Sequence, residues 1–253
     1  MISTEYFEKL SRQYQMGVFP NVVREYFQHV FLAELQKLPE AEKLLFKGGT
    51  ALRIIYNSPR FSEDLDFSLF DVSQDDIKSF VENIFVKVLA EIERTGIKTE
   101  IGERSQATRG GYFGIATFHI LDYPPVGVEI NVSSRDTRVV KGEIDTIVND
   151  FVPTYTMTHL PQEDIVEEKV FDALIRRKKP RDYYDLYFMM RAGMLSADQK
   201  QRLNKIATEI TENSRRIDFQ GELGAFLPAS QQAIIRDFPQ TLEREMRNQL
   251  SLN

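Results

Sequence analysis

The stretch Phe46-Lys47-Gly48-Gly49-Thr50-Ala51-Leu52, followed shortly by Ser62-Glu63-Asp64-Leu65-Asp66-Phe67, decides how this chain is read. The apolar run from Leu44 to Phe46 reads as a buried strand, and residues 50–56 read as a short helix. A second strand is expected over residues 64–70, where acidic and apolar positions alternate at its start. A period of two puts Asp64 and Asp66 on one face while Leu65 and Phe67 point into the core. The two glycines at the joint leave backbone N–H groups open to an anion where the helix begins, and a triphosphate suits that turn. Two carboxylates held on one rigid strand repel each other unless a cation neutralises them. Hard oxygen ligands of this kind suit Mg2+ or Mn2+.

A third carboxylate, Glu129, stands in Val126-Gly127-Val128-Glu129-Ile130-Asn131, where Val128 and Ile130 again face the core and Asn131 shares the polar face. Three carboxylates around the phosphates of an NTP can hold two cations, one beside the attacking hydroxyl and one beside the leaving pyrophosphate. Alone, a Gly-Gly is a turn and an Asp-x-Asp is a solvated strand edge. In the order strand, Gly-Gly, short helix, Asp-Leu-Asp, each piece serves one pocket.

Working outward, residues 22–38 carry apolar positions at helical spacing and form an N-terminal helical arm over residues 1–40. After the acidic strand, Ser73, Asp75 and Asp76 start a long amphipathic helix that runs to Gly96. The period then falls toward two, and residues 98–104, 111–121, 126–133 and 152–160 read as strands, consecutive and antiparallel. Beyond Pro161 the chain turns helical, over residues 162–177, 181–191, 197–214 and 231–250, with a break expected near Pro239. The expected class is α+β: a mixed, largely antiparallel sheet flanked by helices over residues 41–160, then a C-terminal helical domain over residues 161–253.

Composition narrows the chemistry. The 253 residues are 42% hydrophobic and 28% charged, enough to build a core. A formal net charge of -6 means that any polynucleotide is met at a local basic patch. With no cysteine, and with the three histidines (His29, His119, His159) scattered, thiolate and zinc-cluster sites are excluded. No signal-like start or long apolar run is present, so the expectation is a cytoplasmic protein with no membrane partner.

The two quoted stretches, together with Arg60 and Phe61, resemble the signature of the AbiEii family of nucleotidyltransferase toxins, a branch of the DNA polymerase beta superfamily. Glu168-Lys169-Val170-Phe171-Asp172-Ala173-Leu174, then Arg176 and Arg181-Asp182-Tyr183-Tyr184-Asp185-Leu186-Tyr187, resemble that family's second block. The resemblance covers residues 44–190. It implies a nucleotidyltransferase fold and transfer of NMP from an NTP to an acceptor hydroxyl. It also implies a toxin of a toxin-antitoxin or phage-defence (abortive infection) system, with transfer RNA as acceptor and a cognate antitoxin as partner. Asp64 and Asp66 would bind metal, Gly48, Gly49 and Thr50 would cradle phosphate, and Lys169 with either Asp182 or Asp185 would complete the site. Acceptors that are small molecules or proteins, or a non-catalytic nucleotide-binding module, are the alternative readings.

Physically, helical spacing puts Ile165, Lys169, Asp172 and Arg176 on one face, with Val166, Val170, Ala173 and Leu174 on the buried stripe. Lys169 suits nucleotide phosphate, and Arg176 either clamps phosphate or forms a surface pair with Asp172. The run Arg176-Arg177-Lys178-Lys179-Pro180-Arg181 either docks a polynucleotide backbone or caps a helix C-terminus. Tyr183, Tyr184 and Tyr187 either stack bases or pack. Arg60 and Ser62 are candidate phosphate contacts ahead of the metal strand, with turn chemistry as the alternative.

Overall fold

The computed structural model describes residues 2–102, 105–108, 110–134 and 140–250. The chain divides into two compact units: residues 1–57 with 61–160, and residues 58–60 with 161–253.

The first unit carries helices α1 (Thr4–Tyr14), α2 (Val23–Leu35), α3 (Gly48–Ile54) and α4 (Ile77–Arg94). Its strands are β1 (Leu44–Lys47), β2 (Leu65–Leu69), β3 (Lys98–Ile101), β4 (Gln106–Thr108), β5 (Gly111–His119), β6 (Val126–Ser134), β7 (Glu143–Ile147) and β8 (Tyr155–His159). They form one mixed sheet in the order β3-β5-β6-β2-β1-β8-β7, with β4 also paired to β5. Most neighbours are antiparallel, but β2 runs parallel to β6 and β1 parallel to β8. The expected consecutive arrangement therefore holds only toward the edges. Periodicity marks which residues are strands, but the return of the chain through α4 and β5 to lay β6 against β2 leaves no trace in it. Two strands escaped the sequence reading: β4 is exposed throughout and β7 nearly so, and neither shows apolar alternation. The last two positions of the strand expected over 98–104 lie outside the described residues.

Leu65, Phe67, Val128, Ile130 and Val132 are buried on one face of the sheet's centre. The apolar stripes of α2 and α4 supply much of the cover, with Phe27 stacked on Phe118 at 4.5 Å and Phe31 edge-on to Phe85 at 5.7 Å. α2 also carries polar ties. Glu25, buried, accepts from Arg53 of α3 at 2.8 and 3.1 Å, and Gln28 donates to the Ser62 carbonyl at 3.1 Å. The N-terminal arm thereby fixes both α3 and the loop that leads into β2.

The second unit is helical: α5 (Gln162–Val166), a wide π-type stretch (Glu167–Leu174), α6 (Ile175–Arg177), α7 (Pro180–Arg191), α8 (Ala197–Ser214), α9 (Phe219–Leu223), α10 (Gln232–Ile235) and α11 (Phe238–Leu250). Helix α7 is its centre. Tyr183, Tyr184 and Tyr187 are buried, with Phe219 and Phe238 packed about them, so these tyrosines are core. Pro239 falls in the first turn of α11, where its missing N–H costs nothing, and the break lies just before it.

His29 of α2 is buried beside Phe151, and its Nδ1 lies 3.0 Å from the Tyr155 hydroxyl. Burial, with a smaller contribution from the Arg53 charge, pulls this imidazole down from 6.5 to about 3. Its folded value lies below its unfolded one, so the stability it confers is present above pH 6.5 and is lost as pH falls from there toward about 3. The limiting slope is about 1.4 kcal/mol per pH unit. Urea unfolding between pH 7 and 4 is expected to show His29→Gln losing less stability on acidification than the wild type. Parallel pH profiles would refute this account.

Candidate active site

Helix α3 begins on the double glycine itself. Lys47, the residue before it, is extended, and no side chain caps the helix start. Gly48 has φ +85°, and a Cβ built there would meet Asp66 Oδ2 at 2.2 Å. The antiparallel register explains the closeness: Lys47 pairs with Asp66 across β1 and β2, so the carboxylate arrives beside the strand's exit. Only a residue without a side chain leaves room for it.

The other oxygen of Asp66 is held from the opposite side. Asp66 pairs with Asn131 in the parallel β2–β6 register, and Asn131 Nδ2 donates to Oδ1 at 3.2 Å. The two carboxylate oxygens therefore have different surroundings, Oδ1 at an amide donor and Oδ2 against the backbone that opens α3. Asp64 lies one residue before β2 and is half-buried, and its carbonyl accepts the hydroxyl of buried Thr50. Glu63 pairs with Arg24 of α2 at 3.0 Å. Lys47 Nζ donates to Ser133 Oγ at 2.8 Å, and Ser133 Oγ in turn donates to the Phe67 carbonyl at 3.2 Å. Glu129 is exposed on the same face. The first paired residues are Leu65 and Ile130, so Asp64 and Glu129 stand one step before them on adjacent strands. Among the described residues, no three His, Asp or Glu side chains are grouped to hold one ion.

The second block lies in the second unit. Asp185 is fully buried on α7 and accepts from Arg60 Nε at 2.9 Å, Arg60 Nη2 at 3.0 Å and Lys169 Nζ at 2.8 Å. Burial pushes the Asp185 carboxyl up, but the charges and hydrogen bonds of Arg60 and Lys169 outweigh it and hold the group below its ordinary value. Asp182, also buried, serves the start of α7 instead. It accepts from the Lys179 backbone N–H at 3.4 Å and from Arg177 at 2.7 Å. Of the two aspartates, Asp185 is the one that meets Lys169.

The face expected for Lys169 needs correcting. Ile165 is buried in the core, and Lys169 is nearly so, whereas Arg176 is 75% exposed and pairs with Asp172. The wide π-type turn over Glu167–Leu174 adds residues to each turn, so positions that share a face in an ordinary helix separate here. In the basic run, Arg176, Arg177 and Lys178 meet Asp172, Asp182 and Glu209. Ser62, half-buried, is tied through its carbonyl to Gln28.

Residues that sequence reasoning passed over are Asn131 as a partner of Asp66, and Arg24, Glu25 and Gln28 of α2. Strand parity puts Asn131 on the right face, but which strand lies next to it is not a local property. The α2 residues give no signal, because they sit among apolar neighbours on a helix that reads simply as core.

A model of the family described as "Nucleotidyl transferase AbiEii toxin, Type IV TA system" matches residues 30–251. Two solved structures from Helicobacter pylori are similar. One is a candidate nucleotidyltransferase, 18% identical with a TM-score of 0.58, the match covering 91% of this chain and 97% of that one. The other is JHP933, 18% identical with a TM-score of 0.59, covering 92% of this chain and 96% of that one. At such identity the likeness speaks for the fold. Among curated proteins there is no significant match.

Two expectations follow from the packing. Gly193→Ala, at φ +68° with nothing within 4 Å, should cost only the left-handed backbone strain of about 1–2 kcal/mol. Gly48→Ala should cost more, because the methyl group must also displace Asp66. Equal shifts in chemical denaturation would remove the proposed contact. Asp185→Ala strands buried Arg60 and leaves part-buried Lys169 without its carboxylate, and should destabilise the second unit by about 3–5 kcal/mol. Asp182→Ala, a cap loss, should cost about 1 kcal/mol. Denaturation followed by tyrosine fluorescence would expose the reverse order, which this geometry forbids.

Proposed function

The chain belongs to the AbiEii nucleotidyl transferase toxin family of Type IV toxin-antitoxin systems, and on that premise we propose that it transfers NMP from an NTP to a hydroxyl of transfer RNA. Mg2+ or Mn2+ assists, and pyrophosphate leaves. Growth arrest and abortive infection are the proposed cellular consequences, with an antitoxin as functional counterpart.

The observation that carries this reading is Asp66, set between an amide donor and a helix start that has no side chain at its first position. Mg2+ sites that act on nucleotides use one or two carboxylates and leave their other positions to water and substrate phosphate, so Asp64 and Asp66 suffice as the protein ligands. We give Glu129 an outer place on the same face. When bound, the ion supplies positive charge to the phosphoryl group and to the departing pyrophosphate.

The chain's own groups do the rest. Backbone N–H groups of Gly48, Gly49 and Thr50 hold phosphate oxygens, while the Thr50 hydroxyl locks α3 to the Asp64 backbone. Asn131 keeps the Asp66 carboxylate turned. The acceptor oxygen forms its bond to the α-phosphorus as the bond to pyrophosphate breaks. Within the second unit Lys169 is the proposed catalytic lysine, with one of its donors on Asp185 as its positioning residue. Arg60, forked onto Asp185, shares that positioning task; Ser62 of the first unit, and separately Arg60 and Arg176 of the second, are proposed nucleotide-binding residues. Asp182 supports this block by capping α7.

Incubation with each labelled NTP, divalent cation and bulk transfer RNA should transfer label. Asp64→Ala and Asp66→Ala should each reduce the rate by at least roughly a hundredfold. Label appearing only on small molecules or proteins would replace the RNA acceptor. Absence of transfer to every acceptor class, or variants as active as the wild type, would remove the proposed activity.

A further inference from the structure

The strand registers line up one residue from each of five adjacent strands. Lys47 pairs with Asp66, Asp66 with Asn131, Asn131 with Phe113, and Phe113 with Gln106. Directly paired residues in a sheet point to the same side. The Asn131–Asp66 hydrogen bond fixes that side as the acidic one. Tyr112, the neighbour of Phe113, points the other way, packing edge-on to Phe85 of α4 and reaching Glu82. Phe113 is thus a part-exposed aromatic on the acidic face, and Gln106 beyond it is exposed.

We propose that this row is the bed of the nucleotide, with Phe113 stacking the base of the NTP and Gln106 reading the base edge. The inference rests on the nucleotidyl-transfer reading above and extends it to nucleotide choice. Strands lie about 4.8 Å apart, so Phe113 stands roughly 10 Å from Asp66 and Gln106 roughly 14 Å. A nucleotide held by its phosphates at Asp66 must cross its ribose before the base, and Asn131 is the residue over which the ribose passes. An aromatic ring accepts any base by stacking, while a side-chain amide offers both a donor and an acceptor, which discriminates among bases. Phe113 therefore governs affinity for all NTPs, and Gln106 governs their ranking.

The chain contains no tryptophan, so Phe113→Trp installs a single indole at the proposed stacking point. With Mg2+ present, NTPs should quench its fluorescence to saturation, and inorganic tripolyphosphate should not. Adding Asp66→Ala should raise the nucleotide concentration required. By equilibrium dialysis, Phe113→Tyr should bind NTPs as the wild type does, while Phe113→Ala should bind them roughly 5- to 100-fold more weakly. Gln106→Ala should narrow the spread among the four NTPs. If dialysis shows NTP bound while the indole is unchanged and Phe113→Ala binds as tightly as the wild type, the stacking role is overturned and the nucleotidyl-transfer reading stands. Quenching by RNA but not by NTP would overturn it equally, giving the shelf to the acceptor. If the wild type retains no NTP, both readings fall together.

Discussion

Two carboxylates two residues apart, Asp64 just before β2 and Asp66 on it, are tolerable only if their charge is met, and the surroundings of Asp66 organise the first unit. One of its oxygens takes an amide hydrogen from Asn131, and the other lies against a backbone with no side chain at Gly48. Both contacts demand register. β1 must run antiparallel to β2 so that Lys47 faces Asp66, and β6 must run parallel to β2 so that Asn131 does. Slipping either pairing by one residue would turn the acidic positions into the core and the phenylalanines out of it. The core packing of Leu65, Phe67 and Ile130 and the acidic face are thus two consequences of one alignment.

That alignment is held from outside the sheet as well. The Thr50 hydroxyl closes on the Asp64 carbonyl, while Gln28, Arg24 and Glu25 of α2 tie the Ser62 carbonyl, Glu63 and Arg53. Buried ionic pairs such as Glu25 with Arg53 add little net stability, since desolvation offsets attraction, but they fix geometry. The N-terminal helices therefore belong to the site's support as much as to its cover. The same logic governs the second unit, where Asp185 is surrounded by Arg60 and Lys169 and remains ionised despite burial. There a π-type turn sets the lysine on the carboxylate and leaves Arg176 on the surface.

Spacing and residue type were enough for the double glycine before a helix, the strand that carries Asp66, the long helix before the sheet, the change to helix at Pro161 and the family resemblance. These are local properties, written in spacing and residue type, and the family membership covering residues 30–251 agrees with the resemblance. The tertiary structure alone decided which strand lies beside β2, and hence that Asn131 rather than another polar residue touches Asp66. It also decided which of two aspartates three residues apart meets Lys169, and that the cations at 176–178 already have carboxylate partners. The first of these depends on pairing between segments distant in the chain, the second on an extra residue in a helical turn, and the third on a choice between partners that only the folded helices make. An amphipathic period is blind to all three, because it records which face is apolar and not what that face is laid against.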